Sequence, residues 1–532
     1  MPPPAPAGTP SSRAITRRRA VAWSLGAGAL AALGVVGRAA WHLLGRASRE
    51  RSLPRDAADG SDVDATLLDD KSGLEETRVA TFAPATALSA ATLLAETAGT
   101  SGPSLSVSIG GARHSMGGQT LHADSLHLAR ALPATAKAEV AYRDDRSSYV
   151  VDAGSTWRQV LDTLAERQRS VAVMQSNNDF TIGGSISVNA HGWQSMSGPV
   201  GSSVTSLEIA LADGTRLPCS RTENAELFSL ACGGFGLFGV ITSAELAYVP
   251  DRAYALTTKT FDATQYLETW QALVRDNPRA AMSYGRLRIS RKRFLEDAVL
   301  NVFDDQDAPL TAVAGSAVSP SLAPPVSAAA AGSAALHEEL VRAVFRGSEA
   351  SEYGKRLRWD LEVLTGGEAV GMTNRSTILN TSSQSFANRD PARVDLLHES
   401  FVPRAALAGL VADLRRILPK HDVDLLNITI RDVTADRTAR LNYAKEDVFA
   451  LVFLFNLARD READARLGDC VREVIDATLD RNGSFYLPYR PYATRAQVER
   501  AYPELQAFVA AKHRWDPKGR FRSRFAEHYR LV

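Results

Sequence analysis

The sequence predicts an α+β protein of several domains, with a hydrophobic helix ahead of them. Three observations lead there. Strand, helix and strand patterns alternate from residue 79 and run into glycines. A second set of strand and helix patterns begins after residue 390, beyond a stretch of looser pattern. The 532 residues are 45% hydrophobic and 23% charged, an ordinary globular composition with chain enough for about three domains.

Charge and cysteine content exclude some functions. Lys and Arg number 61 against 60 Asp and Glu, a net charge of +1, whereas a protein that coats nucleic acid carries a basic excess. Cys219, Cys232 and Cys470 can close at most one disulfide, and their spacing fits no structural zinc site, so no metal is expected.

Residues 1–45 stand apart. The first 12 are rich in Pro, Ala and Ser, a disorder-prone composition. Arg13, Arg17, Arg18 and Arg19 precede Ala20–Gly37, an uncharged run of small and apolar residues, with Arg38 and Ala39–Leu44 beyond. Three readings stand. One is a membrane anchor, a single N-terminal helix extended by Trp41, Leu43 and Leu44, with the folded body on the periplasmic side. Another is a twin-arginine export signal around Thr16–Val21, and the third a buried core helix. Arginines flank the run on both sides, so they set no orientation. Residues 46–74, charged and polar, read as a flexible linker.

The first globular block is 75–250. Val79–Phe82 is a short strand pattern, Leu88–Thr97 has apolar residues at helical spacing, and Leu105–Ile109 alternates as a strand into Gly110-Gly111. Tyr149–Ala153, Val204–Leu211 and Val240–Tyr248 are further strands, and Trp157–Gln168 is a helix. Asp213-Gly214 signals a hairpin that returns through Arg216–Cys219. The second block, 251–480, contains a low-complexity insertion at 308–335, rich in Ala, Ser and Pro. Its strand patterns are Asp395–Phe401, Leu425–Ile430 and Val448–Phe455, and its helix patterns Ala405–Leu418 and Glu462–Leu479. Residues 481–532 follow, with Val498–Lys512 reading as one amphipathic helix.

Three glycine-rich stretches sit beside strands of the first block: Ser108–Gln119, Asp179–Gly192 and Cys232–Thr242. Glycine after a strand lets the backbone approach a ligand, and consecutive N–H groups make a nest for an anion such as pyrophosphate. The Rossmann spacing and the Walker A pattern are both absent. One glycine pair alone reads as a structural turn. Three together point to one extended, phosphate-bearing ligand.

These stretches resemble the FAD-binding domain of the vanillyl-alcohol oxidase / p-cresol methylhydroxylase superfamily. The likeness covers about Thr77–Pro250 and Gly483–Val532, with motifs closest to cytokinin dehydrogenases and to sugar-alcohol and aldonolactone oxidases. It implies a two-lobed FAD domain built from both ends of the chain, with a substrate cap inserted between them. Arg113-His114-Ser115, followed by Gln119, resembles the loop in which that family joins the flavin 8α-methyl to a histidine. Thr181-Ile182-Gly183-Gly184, with Ser187, resembles its second flavin loop. Near the C-terminus, Tyr486–Tyr489 and Lys512–Pro517 resemble its return segment. The resemblance assigns to FAD Gly110, Gly111, Ala112, Arg113, His114, Ser115, Gln119, Thr181, Gly183, Gly184 and Ser187. Gly234, Gly239, Val240, Ile241, Tyr486 and Ser523 complete that set.

It implies an FAD-linked oxidase or dehydrogenase that moves a hydride from a small-molecule substrate to flavin N5, with oxygen, a quinone or another acceptor taking the electrons. Candidate catalytic residues are His191, in a His-Gly pair like that of the sugar-alcohol and aldonolactone oxidases; Arg431, at a strand end; and Tyr489 or Arg490, where the sugar branch often has a Lys. Thr429 stands where that branch has an acid two residues before the Arg, and Ser176 where cytokinin dehydrogenases have their acidic base. The leading expectation is CH–OH oxidation in a sugar, polyol or aldonolactone. The alternatives are C–N oxidation of the cytokinin type and a weakly catalytic, membrane-tethered flavin-binding partner protein.

Overall fold

The computed structural model describes residues 66–98, 105–307, 341–365 and 372–532, together with residues 38, 39, 41–43, 45 and 310. The expected helix at Ala20–Gly37 and nearly all of the insertion at 308–335 lie outside the described residues. Among the described residues, no helix is long and apolar enough to cross a membrane.

The expected linker ends in ordered structure. Strand β1 (Leu67–Leu68) pairs antiparallel with β2 (Thr77–Arg78), and Leu68 is buried with Val79 and Leu121. Two leucines in a charged stretch were the signal for this. Next, β3 (Thr81–Pro84), β4 (Val107–Gly110) and β5 (Leu126–Ala129) form a parallel sheet in the order β3-β5-β4. The helix Ala87–Ala98 lies between β3 and β4 in the chain and buries Ala90, Ala91 and Leu94 against Val107, Leu126 and Leu128.

A six-stranded antiparallel sheet follows. It comprises β6 (Val140–Arg143), β7 (Ser148–Asp152), β8 (Arg169–Val171), β9 (Val204–Ala210), β10 (Arg216–Ser220) and β11 (Val240–Pro250). Its order is β10-β9-β11-β7-β6, with β8 also on β11. The helix Trp157–Ala165 begins at a capping box between Thr156 and Gln159.

The largest sheet has eight antiparallel strands among the described residues. They are β12 (Ala253–Asp262), β13 (Ala280–Leu287), β14 (Asp297–Asp305), β15 (Met372–Asn374), β16 (Arg393–Pro403), β17 (Asp424–Val433), β18 (Val448–Ala458) and β19 (Ser484–Phe485). Their order is β15-β12-β14-β13-β17-β18-β16-β19. The helices Leu407–Ile417 and Arg461–Leu479 pack on this sheet. The Thr478 hydroxyl lies 2.9 Å from Ser400 Oγ, which marks the helix-covered face of β16. Side chains alternate across a strand, so Asp395, Leu397 and Glu399 project from the other face.

The single helix expected over Val498–Lys512 is two, Arg495–Ala501 and Leu505–Trp515. Pro503 disfavours helical geometry in the residue before it, and Tyr502 sits at φ −125°, ψ 82°. The chain end then returns to the first block. The Val107 N–H donates to Arg520 O at 2.7 Å, and the Arg522 N–H donates to Val107 O at 3.0 Å. Buried Lys512, paired with Asp516, donates to Leu237 O at 2.9 Å and to Phe521 O at 3.0 Å, which ties the third glycine stretch to the C-terminus.

Candidate functional site

A cavity of about 380 Å³ opens where the three glycine stretches, the return segment and the large sheet meet. The glycine stretches form its floor. The first leaves β4 without entering a helix. A Cβ on Gly111 would stand 2.2 Å from Thr181 Oγ1, so only glycine lets the first stretch lie against the second. The second is a short helix, Ile182–Ser187, whose N-cap Thr181 accepts from the Gly184 N–H at 3.2 Å. In the third, Gly239 has φ +150°, and a Cβ there would meet Ile209 at 2.5 Å. Gln119 ties the first stretch to the return segment, donating to Leu487 O and Tyr489 O at 3.2 Å each.

His114 is held firmly. Its Nε2 lies 3.1 Å from Asp179 O, and its ring stacks on Phe180 with centroids 4.2 Å apart. Burial lowers its pKa, although Asp179 opposes the shift, so the neutral imidazole is favoured. Segment 69–75 closes over this loop. The Lys71 N–H donates to Ser115 O at 2.9 Å, and Asp70 accepts from the Gly118 N–H at 2.8 Å.

The ceiling is the open face of the large sheet. Strand register sets Arg286 on β13 beside Thr429 on β17, Thr429 beside Val452 on β18, and Val452 beside Glu399 on β16. The next row is Asn427, Leu454 and Leu397. All of these line the cavity.

Floor and ceiling meet at a buried dyad. His191 Nε2 is 2.7 Å from Glu399 Oε1, with the two side chains 3% and 1% exposed. Burial pushes the Glu399 carboxyl up, but His191 and Arg431 outweigh it and hold it below the usual carboxylate range. An ionised Glu399 accepts only, so Nε2 carries the proton. In neutral His191 the lone pair then lies on Nδ1, which is buried without a protein partner. Arg431 closes the group, donating to His191 O at 3.3 Å and to Ser176 Oγ at 3.0 Å. Tyr489 Oη lies 3.5 Å from Glu399 Oε2. Burial raises the pKa of this phenol well above its ordinary value, so it remains a proton donor.

The expected residues fall into two groups. Gly111, Ala112, Arg113, His114, Ser115, Gln119, Thr181, Gly183, Gly184, Ser187, Gly239, Val240, Ile241 and Tyr486 line the cavity, as do His191, Arg431 and Tyr489. Gly110, Gly234, Ser523 and Arg490 do not. Arg490 is taken up by Glu75 at 2.5 Å and Asp464 at 2.7 Å, so its charge is not offered to a ligand. Ser523 caps the helix Arg524–His528. Gly234 packs on Leu230, whose carbonyl oxygen would lie 1.9 Å from an added Cβ. Gly110 ends β4 against His127.

Glu399, Arg286 and Lys71 line the cavity and were missed from sequence. Glu399 carried a signal: in Asp395-Leu396-Leu397-His398-Glu399 the two acids fall four apart, on one face of an expected strand. Arg286 and Lys71 carried none, since each is one basic residue among many.

The cavity suits a ligand with polar groups. Ser115, Thr120, Gln175, Trp193 and His191 line it, and each carries a buried polar atom without a protein partner (Ser115 Oγ, Thr120 Oγ1, Gln175 Oε1, Trp193 Nε1 and His191 Nδ1). Such atoms call for hydrogen bonds from a ligand or from water. Arg113 and Lys71 add positive charge near the first stretch.

Residues 80–220 match the FAD binding domain family. A putative D-arabinono-1,4-lactone oxidase of Neurospora crassa is 34% identical over 122 residues, 23% of this chain and 22% of that protein. Cytokinin dehydrogenase 2 of Arabidopsis thaliana is 32% identical over 139 residues, 26% of this chain and 28% of that protein. The D-arabinono-1,4-lactone oxidase of Debaryomyces hansenii is 28% identical over 127 residues, 24% and 23% of the two chains. The matches thus span about a quarter of these relatives' lengths.

Proposed function

We propose that this chain, whose residues 80–220 match the FAD binding domain family, is an FAD-dependent oxidoreductase that oxidises a CH–OH group of a sugar, polyol or aldonolactone. The observation that carries the reading is the His191–Glu399 dyad between the floor and ceiling of one cavity, with a buried Nδ1 that has no protein partner. The large sheet acts as the substrate cap. Arg113, Ser115, Thr181, Gly183 and Gly184 hold the cofactor, and His114 anchors it covalently.

Bound FAD supplies the two-electron acceptor for the hydride released from the substrate carbon. His191 takes the hydroxyl proton at Nδ1 as the C–O bond becomes a carbonyl, so one proton and one hydride leave the alcohol. Glu399 stabilises the imidazolium that results. Arg431, fixed by Ser176 and the His191 carbonyl, orients the substrate oxygen. Cytokinin dehydrogenases are among the relatives, but Ser176, a neutral hydroxyl bound to Arg431, cannot act as a carboxylate base. That favours the alcohol over the C–N reading. Oxygen or a quinone takes the electrons onward.

Anaerobic stopped-flow mixing with polyols, aldonolactones and adenines tests the proposal. Bleaching of the flavin band by an alcohol or lactone is expected, and bleaching by adenines alone overturns it. Acid precipitation tests the linkage: flavin should stay with the protein and be released in His114→Ala.

A further inference from the structure

The end of the ceiling on β13 holds more positive charge than its protein partners neutralise. Arg286, only 3% exposed, has Glu362 as its one carboxylate partner among the described residues, with Oε1 3.1 Å from Nη1. Its Nε is buried without a protein acceptor. Arg358, beside it, is 5% exposed and has no carboxylate in salt-bridge range among the described residues. It donates to Leu426 O at 2.7 Å and to Asn427 Oδ1 at 3.0 Å, both neutral groups. Two buried guanidiniums therefore share one glutamate. A buried cation without a counter-charge is costly, and such groups are normally paired. Burial and the neighbouring Arg286 lower the pKa of Arg358 to about 9, which reflects the same imbalance. Arg286 lines the cavity, so a ligand can reach it.

We propose that Arg286 is an anion subsite that binds a carboxylate on the substrate, so that the substrate class is a hydroxylated carboxylic acid of the sugar-acid type. The proposal rests on the CH–OH reading above. Register fixes the geometry. Arg286 pairs with Thr429, so Arg431 two residues on is its diagonal neighbour, at about 7–8 Å. A carboxylate at Arg286 and a hydroxyl at Arg431 and His191 are then a few bonds apart in one short molecule. Thr429, in the same row as Arg286 and two residues from Arg431, offers a neutral hydroxyl suited to an intervening substrate hydroxyl.

The test uses the full-length, flavin-loaded protein at constant ionic strength. D-gluconate, D-glucitol and D-glucitol 6-phosphate are compared by flavin reduction. The acid's effect on melting temperature, against equal chloride, is followed separately. Gluconate should give a kcat/KM about 10- to 150-fold above glucitol, the range for hydrogen bonds to a charged donor. Arg286→Met should abolish that difference, and Arg286→Lys should keep part of it. Glu362→Gln, which removes the competing carboxylate, should tighten gluconate binding. If Arg286→Met does not fold, the Lys and Gln variants carry the test. Equal rates for gluconate and glucitol, or a gluconate preference unmoved in the Arg286 variants, overturn the subsite while leaving the CH–OH reading in place. A stronger response to the phosphate ester than to gluconate overturns the carboxylate assignment. An Arg286-dependent rise in melting temperature without flavin reduction by any alcohol supports the subsite and overturns the CH–OH reading.

Discussion

Replacement of Glu399 is the sharpest probe of the dyad. Removing the acceptor leaves the buried His191 Nε2–H unsatisfied, at a cost of about 1–3 kcal/mol and more for a charged group. Whole domains are stable by only about 5–15 kcal/mol, so Glu399→Ala endangers the fold. Glu399→Gln keeps the shape and one hydrogen bond to His191 Nε2, and loses only the charge. A hydrogen bond to a charged group is worth about 1.5–3 kcal/mol. If that energy is expressed as the proton reaches His191, flavin reduction should slow about 10- to 150-fold. The pH dependence has a definite sign. The folded pKa of Glu399 lies below its ordinary value of 4.5, so its stabilisation is complete above that pH and is lost as pH falls through the folded value. The stability gap between wild type and Glu399→Gln should therefore be widest near neutrality and close in acid. Anaerobic stopped-flow reduction and urea denaturation at a series of pH values measure the two effects. A variant with wild-type reduction rate and wild-type stability at pH 7 would refute the dyad as the proton acceptor.

Arg431→Ala should lower kcat/KM by about 10- to 150-fold, because it removes a charged donor beside His191; steady-state kinetics with the best substrate of the panel decide this, and an unchanged value places Arg431 outside the substrate contact. Gly111→Ala drives a methyl group against Thr181 Oγ1 and should reduce flavin content, measured by absorbance against protein concentration. Deletion of residues 1–65 should leave a flavin-loaded protein, whereas deletion of 1–73 removes Leu68, Asp70 and Lys71 and should lower flavin occupancy; equal occupancy in both would show that the segment over the His114 loop is dispensable.

The regular elements were legible where periodicity had one solution. The helix at Ala87–Ala98 and the strands β16, β17 and β18 lie within a few residues of their expected bounds. The glycine stretches announced a ligand because glycine there serves backbone contact, which is a local property. Glu399 was harder. Both faces of β16 are buried, one under Thr478 and its helix and one over the cavity, so alternation grouped Glu399 with Leu397 without saying which group met the ligand. Arg490 misled for the opposite reason. Its neighbour Tyr489 does line the cavity, but Glu75 and Asp464, distant in sequence, hold the guanidinium elsewhere. The break at Pro503 was readable and was passed over in favour of amphipathic spacing.

The ceiling residues sit in rows and columns fixed by strand register, while the reverse side of the same strands packs on helices. Substitutions at 397, 429, 452 and 454 therefore change the lining of the cavity without altering the residues that hold the sheet to those helices. Single changes along one face can thus reshape the upper wall of the cavity while the glycine-rich floor stays as it is.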